Sequence, residues 1–180
     1  MMENQPGPAL GIVVAGSVEK GTEVRLDAQA SVEDMVVGRY VTIDGQKRRF
    51  FGMITDISLG VTDQQITISP PDTSDIFTAA VLAGTATYGA LHVLPMLTIS
   101  GDVSSISEGP QPVKTVPSHF SRVNLASEND MELVFGKEDA SRFYIGNPLD
   151  METHLCLDLE TLVKRSNGIF GKSGTGKTFL

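Results

Sequence analysis

The stretch Gly171-Lys172-Ser173-Gly174-Thr175-Gly176-Lys177-Thr178 is a glycine, four residues, and then Gly-Lys-Thr. That spacing belongs to the cradling of phosphate oxygens. Backbone N–H groups wrap a triphosphate only where the chain turns back tightly, and Gly171, Gly174 and Gly176 supply residues without a Cβ for those turns. Lys177 is placed to set its ammonium against the β and γ phosphates, and the Thr178 hydroxyl to ligate the Mg²⁺ that bridges them. A helix beginning there points its positive end at the same phosphates. The apolar run Gly168-Ile169-Phe170 before the loop is the expected strand that carries it. The expected ligands are ATP and Mg²⁺.

A phosphate loop binds but does not by itself hydrolyse. Turnover also needs an acid on a later strand, a group that orients water and often an arginine from a neighbour. The catalytic residues are expected beyond Leu180, so they stay unassigned, and residues 1–180 alone are expected to be inactive and to bind nucleotide weakly.

Composition narrows the rest. Of 180 residues 41% are hydrophobic, enough for a sizeable core. Basic residues number 14 against 22 acidic ones, and the formal charge of −8 disfavours a nonspecific grip on phosphodiester backbones by this region. One cysteine, Cys156, excludes an intrachain disulfide, and the N-terminus lacks the basic start and apolar core of a signal peptide. No apolar run approaches the roughly 18 residues of a membrane span. A cytoplasmic protein with no membrane association is expected.

The elements that must position the loop are short. After a leader at 1–9, strands are expected at 11–17 and 22–26. A hairpin is expected from 39–43 and 50–59 around Asp44-Gly45-Gln46, with Phe51, Met53, Ile57 and Leu59 on one face. Another strand is expected at 65–68, a helix at 74–82 stopped by Gly84, and a strand at 85–99 with Leu91, Val93, Leu97 and Ile99 on one side and His92 on the other. The Met96 region reads as core. Loop is expected at 101–117, and a helix starting at Ser127-Glu128-Asn129-Asp130 and stopping at Gly136. Strands follow at 141–145 and in the run Leu155, Leu157, Leu159 alternating with Cys156, Asp158, Glu160. The expected class is mainly β: a small N-terminal β-barrel with a linking helix over 10–140, then the start of an α/β P-loop ATPase domain over 141–180.

Other residues read quietly. Lys47-Arg48-Arg49 is the barrel's basic cluster and reads as a solvated hairpin tip, with a DNA or partner contact as the alternative. His92, His119 and His154 are too dispersed for metal-ligand spacing, and Cys156 has no adjacent histidine to activate it.

A small barrel, a linking helix, Tyr144-Ile145-Gly146, Leu157-Asp158-Leu159 and then Arg165-Ser166-Asn167-Gly168-Ile169-Phe170 running into the glycine loop together resemble the HerA-type ATPases of the FtsK/HerA superfamily. The resemblance implies the barrel type shared with ATP synthase subunits and a homo-hexameric ring that hydrolyses ATP to move along double-stranded DNA. It also implies a NurA-type nuclease docked at the barrel. By the same resemblance Gly171, Gly174, Thr175, Gly176, Lys177 and Thr178 are nucleotide-binding positions. Arg165-Ser166 departs from the Arg-His common in such proteins. Two other readings stand beside this one: a non-catalytic oligomerisation or partner-binding module, and part of a rotary or secretion-type hexameric ATPase.

Overall fold

The computed structural model describes residues 7–72, 74–99, 109–148, 151–164, 166–168 and 170. Six strands close on themselves in the order β2-β1-β7-β3-β4-β5, with β5 pairing back to β2. They are β1 (Ala9–Ser17), β2 (Gly21–Leu26), β3 (Tyr40–Asp44), β4 (Arg49–Val61), β5 (Thr87–Ile99) and β7 (Arg122–Leu125). A two-residue strand, β6 (Gln111–Pro112), adds to the outer edge of β5. All these pairings are antiparallel. Closure leaves no long open edge to recruit another chain. The fold is therefore mainly β with a closed N-terminal barrel, as expected.

Inside the barrel, Val24, Val41, Ile43, Ile54, Leu91, Val93 and Val123 are fully shielded from solvent. A second cluster lies on the outer wall, where Phe51, Ile99, Ala126 and Met131 pack together. Helix α3 (Glu128–Phe135) covers that wall. Tyr40 stacks on Phe51 at 5.1 Å, and Phe135 meets both rings edge-on at 5.4 and 6.0 Å. Adjacent Phe50 and Phe51 thus serve opposite faces of one strand, as the two-residue period of a strand requires.

Two bulges in the β4–β5 hairpin change which residues share a face. Ile54 pairs with Val93 and Asp56 with His92, leaving Thr55 as the extra residue. Phe51 pairs with Leu97 and Gly52 with Pro95, leaving Met96 extra. Each extra residue reverses the inward–outward alternation beyond it. Phe51 and Met53 therefore do not share a face with Ile57, which packs against the interior, and Leu59 is 80% exposed past the barrel mouth. Likewise Leu91 and Val93 point inward, whereas Leu97 and Ile99 belong to the outer cluster. Met96, expected in the core, is 45% exposed because it is the bulged residue.

Three further segments differ from the sequence reading. Residues 65–68 are not a strand: α1 (Gln64–Ile68) forms because the Asp63 side chain accepts from the Gln65 N–H at 2.9 Å and caps a single turn. The helix read at 74–82 is α2 (Ile76–Thr85), capped by Asp75, and it runs past Gly84 rather than stopping there. β7 falls where the sequence suggested no strand, and β6 within the stretch read as loop. Residues 101–108 of that loop lie outside the described residues.

Helix α3 ends as expected. Gly136 takes φ 77°, a left-handed value that side chains with a Cβ resist, and its N–H donates to the Glu132 carbonyl at 2.8 Å. A separate two-stranded sheet follows, β8 (Arg142–Gly146) with β9 (Leu155–Asp158), and then α4 (Leu159–Val163). The alternation read across 155–160 breaks at Leu159, which opens α4 because Asp158 caps it by accepting from the Thr161 N–H. Cys156, not the leucines, is the buried member of β9.

Candidate nucleotide-binding and docking sites

The predicted phosphate loop, with Gly171, Gly174, Thr175, Gly176, Lys177 and Thr178, lies outside the described residues. The approach to it is described. Gly168 and Phe170 carry no strand pairing, unlike the expected strand, and Phe170 is 94% exposed, while Ile169 lies outside the described residues. The physical reason is that a strand needs a hydrogen-bonding neighbour, and among the described residues none pairs with these two.

Arg142 joins the end of α3 to the β8–β9 sheet. Its guanidinium reaches Asp139 at 3.4 Å and Asp158 at 4.0 Å, while its side chain lies where a Cβ on Gly136 would sit. Asp139 is held below its ordinary value by the Ser141 backbone and hydroxyl, then by the Arg142 N–H and charge. Asp158 is lowered first by the Thr161 N–H and then by Arg142. Both carboxylates therefore stay charged and fix the turn that leads toward the loop. Cys156 and His154 line an acidic cleft between α3 and β9, together with Glu128, Glu132, Glu138 and Glu152. His154 contacts the Tyr144 ring at 4.7 Å. Among the described residues no group of His, Cys, Asp and Glu is arranged to hold a metal ion.

The basic cluster of the β3–β4 turn divides. Lys47 and Arg48 are exposed, whereas Arg49 is not a solvated turn residue. Its register position opposite Asp44 turns it toward β7 and α3. There it bonds Asp44 Oδ1 at 2.9 Å, Thr42 Oγ1 at 3.1 Å and both oxygens of the fully buried Asp130. Asp130 also accepts from the Ser127 N–H and hydroxyl, so one carboxylate caps α3 and fastens it to the barrel. Neither this junction nor its residues were visible as a site in the sequence. The only signal was the Ser-x-x-Asp helix start.

The opposite end of β4 carries α1 and α2, where Leu59, Ile68, Ile76 and Phe77 are 80, 83, 86 and 75% exposed. Exposed apolar side chains, where they gather on one surface, mark a docking face; Asp63, Asp72 and Asp75 are their exposed neighbours in the sequence.

The family model described as HAS barrel domain matches residues 10–105, more than half of the 180-residue chain. The chain belongs to the HAS barrel domain family. A second family model, Helicase HerA, central domain, matches residues 143–180, the interval that contains the glycine loop. An N-terminal HAS barrel followed by the start of a HerA-type ATPase domain is thus the organisation of the chain. No curated protein matches it. The HAS barrel match ends before β7, yet β7 supplies the strand between β1 and β3 that completes the wall. Among the described residues no helix is long and apolar enough to cross a membrane.

Proposed function

We propose that the chain is the N-terminal part of a cytoplasmic, ring-forming P-loop ATPase that hydrolyses ATP to translocate along or unwind double-stranded DNA. The barrel and its helix would span 10–140 and serve assembly and the docking of a nuclease of the NurA type, with the ATPase part beginning at 141. The observation that carries this reading is the order of two matched families, a HAS barrel and then a HerA central domain, with Gly-x₄-Gly-Lys-Thr inside the second match. The exposed apolar face of α2 supports the assembly role.

In this reading Gly171, Gly174, Thr175 and Gly176 present backbone N–H groups to the phosphates, Lys177 neutralises charge on the β and γ oxygens, and Thr178 holds Mg²⁺. Mg²⁺, when bound beside Thr178, would supply positive charge against the phosphate oxygens. The test is ATP hydrolysis, with and without duplex DNA, by the protein carrying a whole ATPase domain, beside its Lys177→Ala variant. A loss of about a hundredfold or more in kcat is expected, the order seen when one preorganised charge-stabilising group is removed. Hydrolysis indifferent to both Lys177 and DNA would end the translocase reading.

A further inference from the structure

The end of the barrel remote from α1 and α2 collects cations that form no ion pair among the described residues. Lys47 and Arg48 stand exposed on the β3–β4 turn. Arg122 is exposed one strand away, at the register position opposite Asp44. Lys114 is exposed beside Thr115, which shares a groove with that turn. None of these four forms an ion pair among the described residues. The nearby acid, Asp44, is already engaged by Arg49 Nε and Asn124 Nδ2, both at 2.9 Å. The groove, about 290 Å³, adds the neutral side chains of Gln46, Thr115 and Ser118 between the two basic segments.

Two residues past Ser118 of this groove, Phe120 has φ 62° and is 72% exposed, with His119 edge-on to it at 6.1 Å. A bulky side chain in the left-handed region is disfavoured, and so is a phenyl ring in water. The backbone nevertheless holds it there: the Phe120 N–H donates to the Val13 carbonyl at 2.8 Å and the Ser121 N–H to the Ser118 carbonyl at 3.2 Å. Strain kept in place by its surroundings, around a side chain that packs against little, points to a ligand.

We propose that this barrel end binds single-stranded nucleic acid, with phosphates on Lys47, Arg48, Lys114 and Arg122 and a base stacked on Phe120. Cations interleaved with an exposed ring are the means by which single strands are held without sequence preference. Hydroxyl and amide donors in the groove suit phosphate oxygens. The net charge of −8 disfavours nonspecific binding by the chain as a whole, so the grip must come from the local cluster of cations. Of the 22 acids, Asp63, Asp72 and Asp75 lie beyond the far end of thirteen-residue β4, several Debye lengths of roughly 8 Å away in physiological salt. The proposal goes beyond the translocase reading, which routes duplex DNA through the ATPase part.

The experiment is fluorescence anisotropy of a labelled oligothymidylate of roughly twenty nucleotides, titrated without ATP with the 180-residue chain between about 50 and 200 mM salt. Three or four phosphate contacts give an expected slope of log K against log salt of about −2 to −3. Lys47→Ala with Arg48→Ala should flatten that slope by about 1.4, and Lys114→Ala, on a separate loop, by about 0.7. Phe120→Ala should weaken binding about tenfold or more at unchanged slope, the loss of one stacked base. Lys177→Ala, which impairs the phosphate loop, should leave the oligonucleotide affinity and its salt slope as they are, and so separates this surface from that loop. Absence of binding at about 50 mM salt, a slope insensitive to the lysine and arginine variants, or loss of binding on Lys177→Ala would overturn the proposal. Displacement by polyglutamate as effective as by unlabelled oligonucleotide would also overturn it, and would assign the surface to an acidic protein.

Discussion

At the scale of the residue, Arg49 and Asp130 decide how the barrel is joined to the helix that leaves it. Asp130 is wholly buried, and its oxygens are divided between the Arg49 guanidinium and the Ser127 cap. Removing one member of such a pair strands the other without compensation. Asp130→Asn is therefore expected to cost about 3 kcal/mol, the lower end for breaking a buried pair because Arg49 keeps some solvent contact. Urea denaturation measures it, and Arg49→Met combined with Asp130→Leu should cost clearly less than the sum of the two single variants. Additive costs would show that the two side chains act separately. The partnership was not legible in Lys47-Arg48-Arg49 because Asp130 is 81 residues away. A run of charges in sequence does not reveal which member the strand register turns inward.

At the scale of the element, capping residues and bulges account for most of the agreement and most of the differences. Ser127 and Gly136 bound α3 where the sequence placed them, since a cap is a local hydrogen-bond requirement. The faces of β4 and β5 were misread because Thr55 and Met96 are bulged, and a bulge arises from pairing between strands. Helix α2 offers a test of its own cap. The Thr78 hydroxyl and then the Thr78 N–H hold the Asp75 carboxyl below its ordinary value of 3.8. A depressed folded value means that the stabilisation is complete above the unfolded pKa and is lost as pH falls through the folded one. Protection of the Thr78 amide against hydrogen exchange should therefore drop below pH 3.8. In Asp75→Asn, which caps without titrating, it should not. Equal acid sensitivity in both proteins would remove Asp75 as the cause.

At the scale of the whole molecule, the closed barrel has a basic, aromatic end at the β3–β4 turn and an apolar end at α1 and α2. Ile76 and Phe77 expose most of their surface, so α2 is expected to support weak self-association of residues 1–180 that strengthens when ATPase domains add their own contacts. Sedimentation velocity at micromolar concentration should show mainly monomer with a concentration-dependent drift that Phe77→Asp abolishes. A stable hexamer, or a drift unaffected by that change, would contradict it. The sequence alone determined the barrel class and the linking helix, because alternation and caps are local patterns enforced by backbone geometry. Tertiary structure alone decided that four-residue β7 completes the barrel, that Arg49 is a clasp and not a solvated charge, and that Lys47, Arg48, Lys114 and Arg122 share one end. Those outcomes depend on strand register and closure, which bring together residues whose separation along the chain carries no mark of their neighbours.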